Sequence, residues 1–208
     1  VRREQVDKLV NQAARRVGAV RPDGGLVDEV AAMVEYPSAV LGGFDPSHLH
    51  LPEEILVTGL RHHQKFFAVQ DGRGRLVAHF VGVKNGISEH LETVREGYER
   101  VLAARLADAA FYWTQDGKLP LAQQAQKLSA VVFQEGLGTL ADKAVRVDHL
   151  ARSIAAALGP DALSDPGLVR RIARLAKADL VTEMVKEFPE LQGVVGRLYA
   201  ARDGEPEA

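Results

Sequence analysis

The sequence predicts an α+β fold, with a mixed α/β part built around a β-hairpin and an all-helical part after it. Three observations carry that reading. Apolar residues recur at spacings of three and four in most segments. The stretch QKFFAVQDGRGRLVAHFVGVKNG sets two β-prone runs around a glycine-rich loop. Beyond Gly138 only helical patterns follow, punctuated by capping residues, glycine and proline.

In chain order, Val6, Leu9, Val10, Ala13, Ala14 and Val17 form one face of an amphipathic helix from Arg3 to about Val17. A shorter helix is expected from about Leu26 to Val34. Pro37 and the Gly42-Gly43-Phe44 triplet then predict a break in regular structure. Leu51-Pro52-Glu53-Glu54 reads as a helix start, with proline in the first turn and carboxylates at the positive end of the helix dipole. That helix should end near Arg61. Phe67 and Val69 alternate with their neighbours, Asp71-Gly72-Arg73-Gly74 supplies the turn, and Leu76 to Val83 returns as the second strand, closed by Asn85-Gly86.

Leu91, Val94, Tyr98, Val101, Leu102, Leu106, Ala109 and Trp113 define a long helix, and a further helix is expected from Leu121 to about Phe133. Thr139 is placed to cap a helix whose stripe is Leu140, Ala144, Val147, Leu150, Ile154 and Leu158, stopped by Gly159-Pro160. Asp165-Pro166 opens another. The organisation expected is therefore a mixed α/β domain over 1–138 and a helical region over 139–208.

Composition narrows the function classes. The chain has 208 residues, 46% hydrophobic and 26% charged, the balance of an ordinary globular protein with room for one large domain or two small ones. A net charge of -2 excludes a global basic field and leaves room only for a local basic face. The absence of cysteine removes disulfides, thiolate nucleophiles and cysteine zinc sites. No apolar run has membrane-spanning length. The opening VRREQVDKLV begins in a helical pattern, so a piece of a longer polypeptide is expected.

Four constellations bear on chemistry. In KADLVTEM, Asp179 falls one heptad after Ile172 on the stripe Leu168, Ile172, Leu175, which puts a carboxylate on or beside a buried face. A buried carboxylate needs a partner. One reading makes it a metal ligand with His149 from the preceding helix, although His149 lies on the solvent side of its own helix. The other has Asp179 cap a neighbouring loop or pair with Arg174 or Arg197. Second, Arg61-His62-His63-Gln64-Lys65 gathers donors suited to phosphate just before the hairpin. Two adjacent histidines on extended backbone point apart, against joint chelation. Third, Arg105 rides the edge of an apolar stripe, while Arg100 is expected to pair with Glu96. Fourth, the glycines of QEGLGTL are read as turn residues. No nucleophile elbow, zinc-protease signature or dinucleotide fingerprint occurs.

The ordered set YPSAVLGGFDPSHLHLPEEIL, HHQKFFAVQDGRGRLVAHFVGV, GYERVLAARLADAAFYW, VVFQEGLGTLADKAVRV and LAKADLVTEMVKEFPELQGVVGRLYA resembles the central part of the beta subunits of bacterial heterotetrameric glycyl-tRNA synthetases. The resemblance implies a cytoplasmic ligase complex that attaches glycine to tRNA. In that complex the alpha subunit holds the adenylate-forming site and the beta subunit contributes tRNA recognition. It implies glycine tRNA and the alpha subunit as partners, no membrane, and ATP and magnesium used by the complete synthetase with no cofactor in this stretch. Arg61, Lys65, Arg100 and Arg105 become the candidate tRNA contacts, holding the acceptor arm. The family's helical part is HD-like, and its His-Asp pair falls here on Ala178 and Asp179, with His149 on the preceding helix. The first ligand of the pair is thus replaced, and no metal is expected. A metal-dependent phosphohydrolase of the HD type and a purely architectural module are the alternatives.

Overall fold

The computed structural model describes residues 1–159 and 165–206. The chain divides into two compact units, Val1–Phe111 and Tyr112–Ala208. The division falls inside one long helix, ahead of the boundary expected at 138. The Pro160 half of the expected Gly159-Pro160 stop lies outside the described residues.

In the first unit the order is α1 (Arg2–Ala14), β1 (Ala19–Val20), α2 (Gly24–Met33), β2 (Pro37–Gly43), α3 (Glu53–Thr58), β3 (Phe67–Gln70), β4 (Leu76–Asn85) and α4 (Leu91–Asp116), the helix that carries the division. The strands form one antiparallel sheet in the order β1-β3-β4-β2. Strand alternation sends Phe67, Val69 and Val81 to one face. There they pack with Val6, Val10 and Ala14 of α1 and Leu26, Val27 and Val30 of α2, all buried. On the other face Phe80 stacks on Phe66 at 4.4 Å between ring centroids, and Phe66 meets Tyr98 of α4 at 4.9 Å.

The hairpin stands where its sequence predicts. β2 does not: a strand occupies the stretch that Pro37 and the glycines were expected to interrupt. Proline is tolerated there because Pro37 is the first residue of an edge strand. Gly42 pairs directly opposite Phe80, and a Cβ on Gly42 would lie 2.4 Å from that ring. The glycine makes room for an aromatic side chain and does not end the strand. The helix expected to run to Arg61 also differs, since α3 stops at Thr58 and a π-helical turn covers Gly59–His63.

The second unit begins with the last residues of α4, from Tyr112, and continues with α5 (Leu121–Gln124) and a 3-10 turn, Ala125–Ala130. Where a helix was expected to reach Phe133, β5 (Val132–Gln134) instead pairs with β6 (Gly138–Thr139) in a small hairpin. Gly136 and Gly138, at φ +78° and +80°, adopt the left-handed conformation its turn needs, and β-branched Val131 and Val132 favour extension. Thr139 then caps α6 (Leu140–Leu158) in a reciprocal box, its N–H donating to Asp142 at 2.7 Å and its Oγ1 accepting from the Asp142 N–H at 3.2 Å. α7 (Pro166–Leu175), a 3-10 turn (Ala178–Val181), α8 (Glu183–Glu187), a second 3-10 turn (Pro189–Leu191) and α9 (Val194–Arg202) complete the unit.

Asp116, at the end of α4, is 3% exposed and forms a hub of the second unit. Its carboxylate accepts the N–H groups of Glu183 and Met184, at 3.0 and 2.9 Å, and the Tyr199 hydroxyl at 3.0 Å. It therefore holds the start of α8 and the buried side of α9 together. Burial first, and then the Asp116 charge, push the Tyr199 hydroxyl above the ordinary tyrosine range. No helix among the described residues is long and apolar enough to cross a membrane.

Candidate functional site

The cationic candidates all lie in the first unit, and the structure sorts them into two kinds. Arg61, in the π-helical turn, donates Nε to Asp23 Oδ2 at 2.7 Å. Asp23 is the N-cap of α2, its other oxygen accepting the Leu26 N–H at 2.9 Å. Burial pushes the Asp23 carboxyl up, but the Leu26 N–H and the Arg61 guanidinium outweigh it and hold the group below the ordinary aspartate value. Lys65 Nζ lies 2.5 Å from Glu29 Oε1, also on α2. Its backbone takes φ +56°, a left-handed conformation uncommon outside glycine. Arg61 and Lys65 are thus anchored to one helix and largely neutralised by it. Sequence reasoning did not identify Asp23 and Glu29 as their partners; Asp23-Gly24-Gly25 carries a capping signal that spacing alone does not connect to Arg61.

Arg100 and Arg105 are different. Arg100 is exposed and Arg105 half-buried, beside the buried residues Leu102, Leu106 and Ala109. Among the described residues neither has an ion-pair or hydrogen-bond partner. The expected Glu96–Arg100 pair does not form. The salt bridges of this helix belong to Arg95, which binds Glu92 and lies 3.8 Å from Glu99. Glu99 in turn accepts the Gly43 N–H at 2.8 Å, which ties α4 to the end of β2. Five residues apart, Arg100 and Arg105 sit about 140° apart around the helix. One faces solvent and the other edges the apolar stripe, as the sequence pattern predicts for Arg105.

Ala178 and Asp179, where the resemblance led a His-Asp pair to be expected, lie in the second unit. α7 ends at Leu175, so Asp179 stands on the following 3-10 turn and not on the same helix as the expected stripe. That stripe is also rotated: Ile172 is 48% exposed, whereas Val169 and Ala173 are buried. Asp179 is nonetheless buried, at 2% exposure. Its Oδ2 accepts the N–H of Gly193, the N-cap of α9, at 2.6 Å. A Cβ on Gly196 would come within 3.2 Å of the same carboxylate, so that glycine lets the helix start approach. The positive end of α9 stabilises the buried charge, which realises the loop-capping alternative.

Ala178 is fully buried and offers no donor, and His149 is exposed, its backbone carbonyl accepting the Ser153 hydroxyl at 3.0 Å. The buried carboxylate beside it, Asp148, is bound by Arg152 at 3.0 Å. No group of three or more His, Asp, Glu or Cys side chains among the described residues is arranged to hold a metal ion. The donor set therefore does not fit an HD-type metal centre. A capping role makes a specific prediction. Asp179→Ala, which orphans the Gly193 N–H, should cost about 2–3 kcal/mol in urea unfolding, whereas Asp179→Asn, which keeps an accepting oxygen, should cost about 1 kcal/mol. Equal losses would contradict the cap.

A family model described as glycyl-tRNA synthetase beta subunit matches residues 1–208. Among curated relatives, the glycine-tRNA ligase beta subunit of Desulforudis audaxviator is 50% identical over 100% of this chain and 30% of its own length. That of Moorella thermoacetica is 48% identical over 98% of this chain and 30% of the relative. The Bacillus subtilis protein is 44% identical, with 100% of this chain and 31% of the relative covered. The chain therefore spans about a third of the length of the curated relatives it matches.

Proposed function

Because the chain belongs to the glycyl-tRNA synthetase beta subunit family, we propose that it is the part of such a subunit that helps hold glycine tRNA by its acceptor arm during ATP-dependent glycylation. In this reading the adenylate-forming site lies on the alpha subunit, and ATP and magnesium act there. This stretch needs no cofactor of its own, the complex works in the cytoplasm, and the chain alone has no catalytic activity. The observation that carries the reading is the pair of cations on α4 that have no ion-pair or hydrogen-bond partner among the described residues, Arg100 and Arg105. A guanidinium left unpaired on a chain of net charge -2 is available to phosphate at no cost in broken ion pairs.

Arg61 and Lys65 would have to leave Asp23 and Glu29 to bind phosphate, so they contribute less to affinity and more to the shape of the RNA-facing turn. The test uses the complete synthetase. R100Q/R105Q should weaken tRNA binding about tenfold near physiological salt and flatten the dependence of log affinity on log salt by about 2, one phosphate contact for each cation. Glycyl-adenylate formation without tRNA should be unchanged. The R61Q/K65Q pair should give a smaller loss. Unchanged affinity and salt slope in R100Q/R105Q would overturn the assignment and favour an architectural module.

A further inference from the structure

The apolar stripe of α6 is satisfied over only half its length. Leu140 and Ala144 are buried, and Leu140 packs with Leu128 and Val181. One turn further the stripe swings into solvent, with Leu150, Ile154 and Leu158 exposed to 60%, 59% and 63% and Val147 half-buried. At about 100° per residue these four fall within roughly 80° of one another, a single ridge. Phe133 of β5 continues it toward the helix start: it is 37% exposed, and the ammonium of Lys143, one turn before Val147, lies 3.7 Å from its ring centroid.

We propose that this ridge is an intramolecular docking surface, covered in the full-length beta subunit by an apolar face of the polypeptide outside these 208 residues. The proposal rests on the family reading, because it takes the length of the relatives, of which this chain matches 30%. Area selects the occupant. The exposed ridge amounts to on the order of 300–400 Å² of apolar surface, well below the roughly 800 Å² per partner that a stable association of separate molecules buries. A second copy of the chain, or a separate subunit, would gain too little from it alone to offset lost translational and rotational freedom. A tethered segment faces an effective concentration in the millimolar range and needs no such area. Aliphatic side chains also offer nothing to a phosphate and no aromatic platform for a base, so RNA does not fit the ridge.

Because the chain lacks cysteine, thiols placed on the ridge report its accessibility. Ile154→Cys and Leu158→Cys would be made in this chain and in the full-length beta subunit. The rate of alkylation of the modified peptide would then be followed by mass spectrometry, which is indifferent to thiols elsewhere. The expected result is fast labelling in this chain at any concentration and labelling about 100-fold slower in the beta subunit alone, without alpha subunit or tRNA. Equal rates in both would overturn the proposal. Protection that appears only on adding the alpha subunit, only on adding tRNA, or only at high concentration of this chain would overturn it in favour of those occupants. Since protection is read without RNA, the outcome is independent of whether Arg100 and Arg105 bind tRNA.

Discussion

Asp116→Ala is expected to lower the stability of the second unit by about 3–5 kcal/mol, a large part of the total that a domain of this size has available. The carboxylate is 3% exposed and accepts three donors: the N–H groups of Glu183 and Met184 and the Tyr199 hydroxyl. Alanine would leave all three without this acceptor, and the Met184 N–H and Tyr199 hydroxyl are buried. An unsatisfied buried donor costs about 1–3 kcal/mol, so even partial relaxation leaves a large deficit. Tyr199→Phe removes one donor and leaves the carboxylate two partners, so it should cost only about 1 kcal/mol.

Urea unfolding followed by tryptophan fluorescence is suited to the measurement. Trp113 is the sole tryptophan, lies 5.1 Å from the Tyr199 ring, and has the Arg202 guanidinium 5.6 Å from its own. Its emission therefore reports on this unit. A loss below about 1 kcal/mol for Asp116→Ala would show that the hub is peripheral to stability.

Gly42→Val should be comparably severe in the first unit, at about 3 kcal/mol or more. A Cβ at position 42 would stand 2.4 Å from Phe80 Cζ and 2.8 Å from Cε1. The ring has nowhere to go, because Phe80 is fully buried and stacked on Phe66. Its cross-strand neighbours are Gly42 on one side and Ala68 on the other, small residues flanking a large one. Valine at 42 must therefore displace the ring or open the β2–β4 pairing. Gly72→Ala in the hairpin turn, where a Cβ meets nothing within 4 Å, serves as the control and should cost under about 0.5 kcal/mol. Amide exchange of β2 and β4 measures both. If Phe80→Ala in the G42V background added its own full loss and recovered nothing, the steric account would be wrong.

The family pattern, the hairpin and the helix caps were legible because each is written in neighbouring residues. Asp71-Gly72-Arg73-Gly74 turns the chain between two β-prone runs, and Thr139 and Asp142 cap each other three residues apart. Sequence by itself determined these features, along with the solvent-facing position of His149 and the edge position of Arg105.

Tertiary structure alone decided what lies opposite each group. Gly42 reads locally as a breaker and proves to be half of a glycine-phenylalanine pair, and Asp179 reads as a ligand or a cap until Gly193 is seen to donate to it from 14 residues away. Tyr199 finds Asp116 across 83 residues, Arg61 finds Asp23 across 38, and the α6 stripe is buried only as far as Leu128 and Val181 reach. A residue's own conformational preference is set by its covalent neighbours, but the free energy of a buried charge or an exposed ridge depends on atoms that only packing of distant segments brings within a few ångströms.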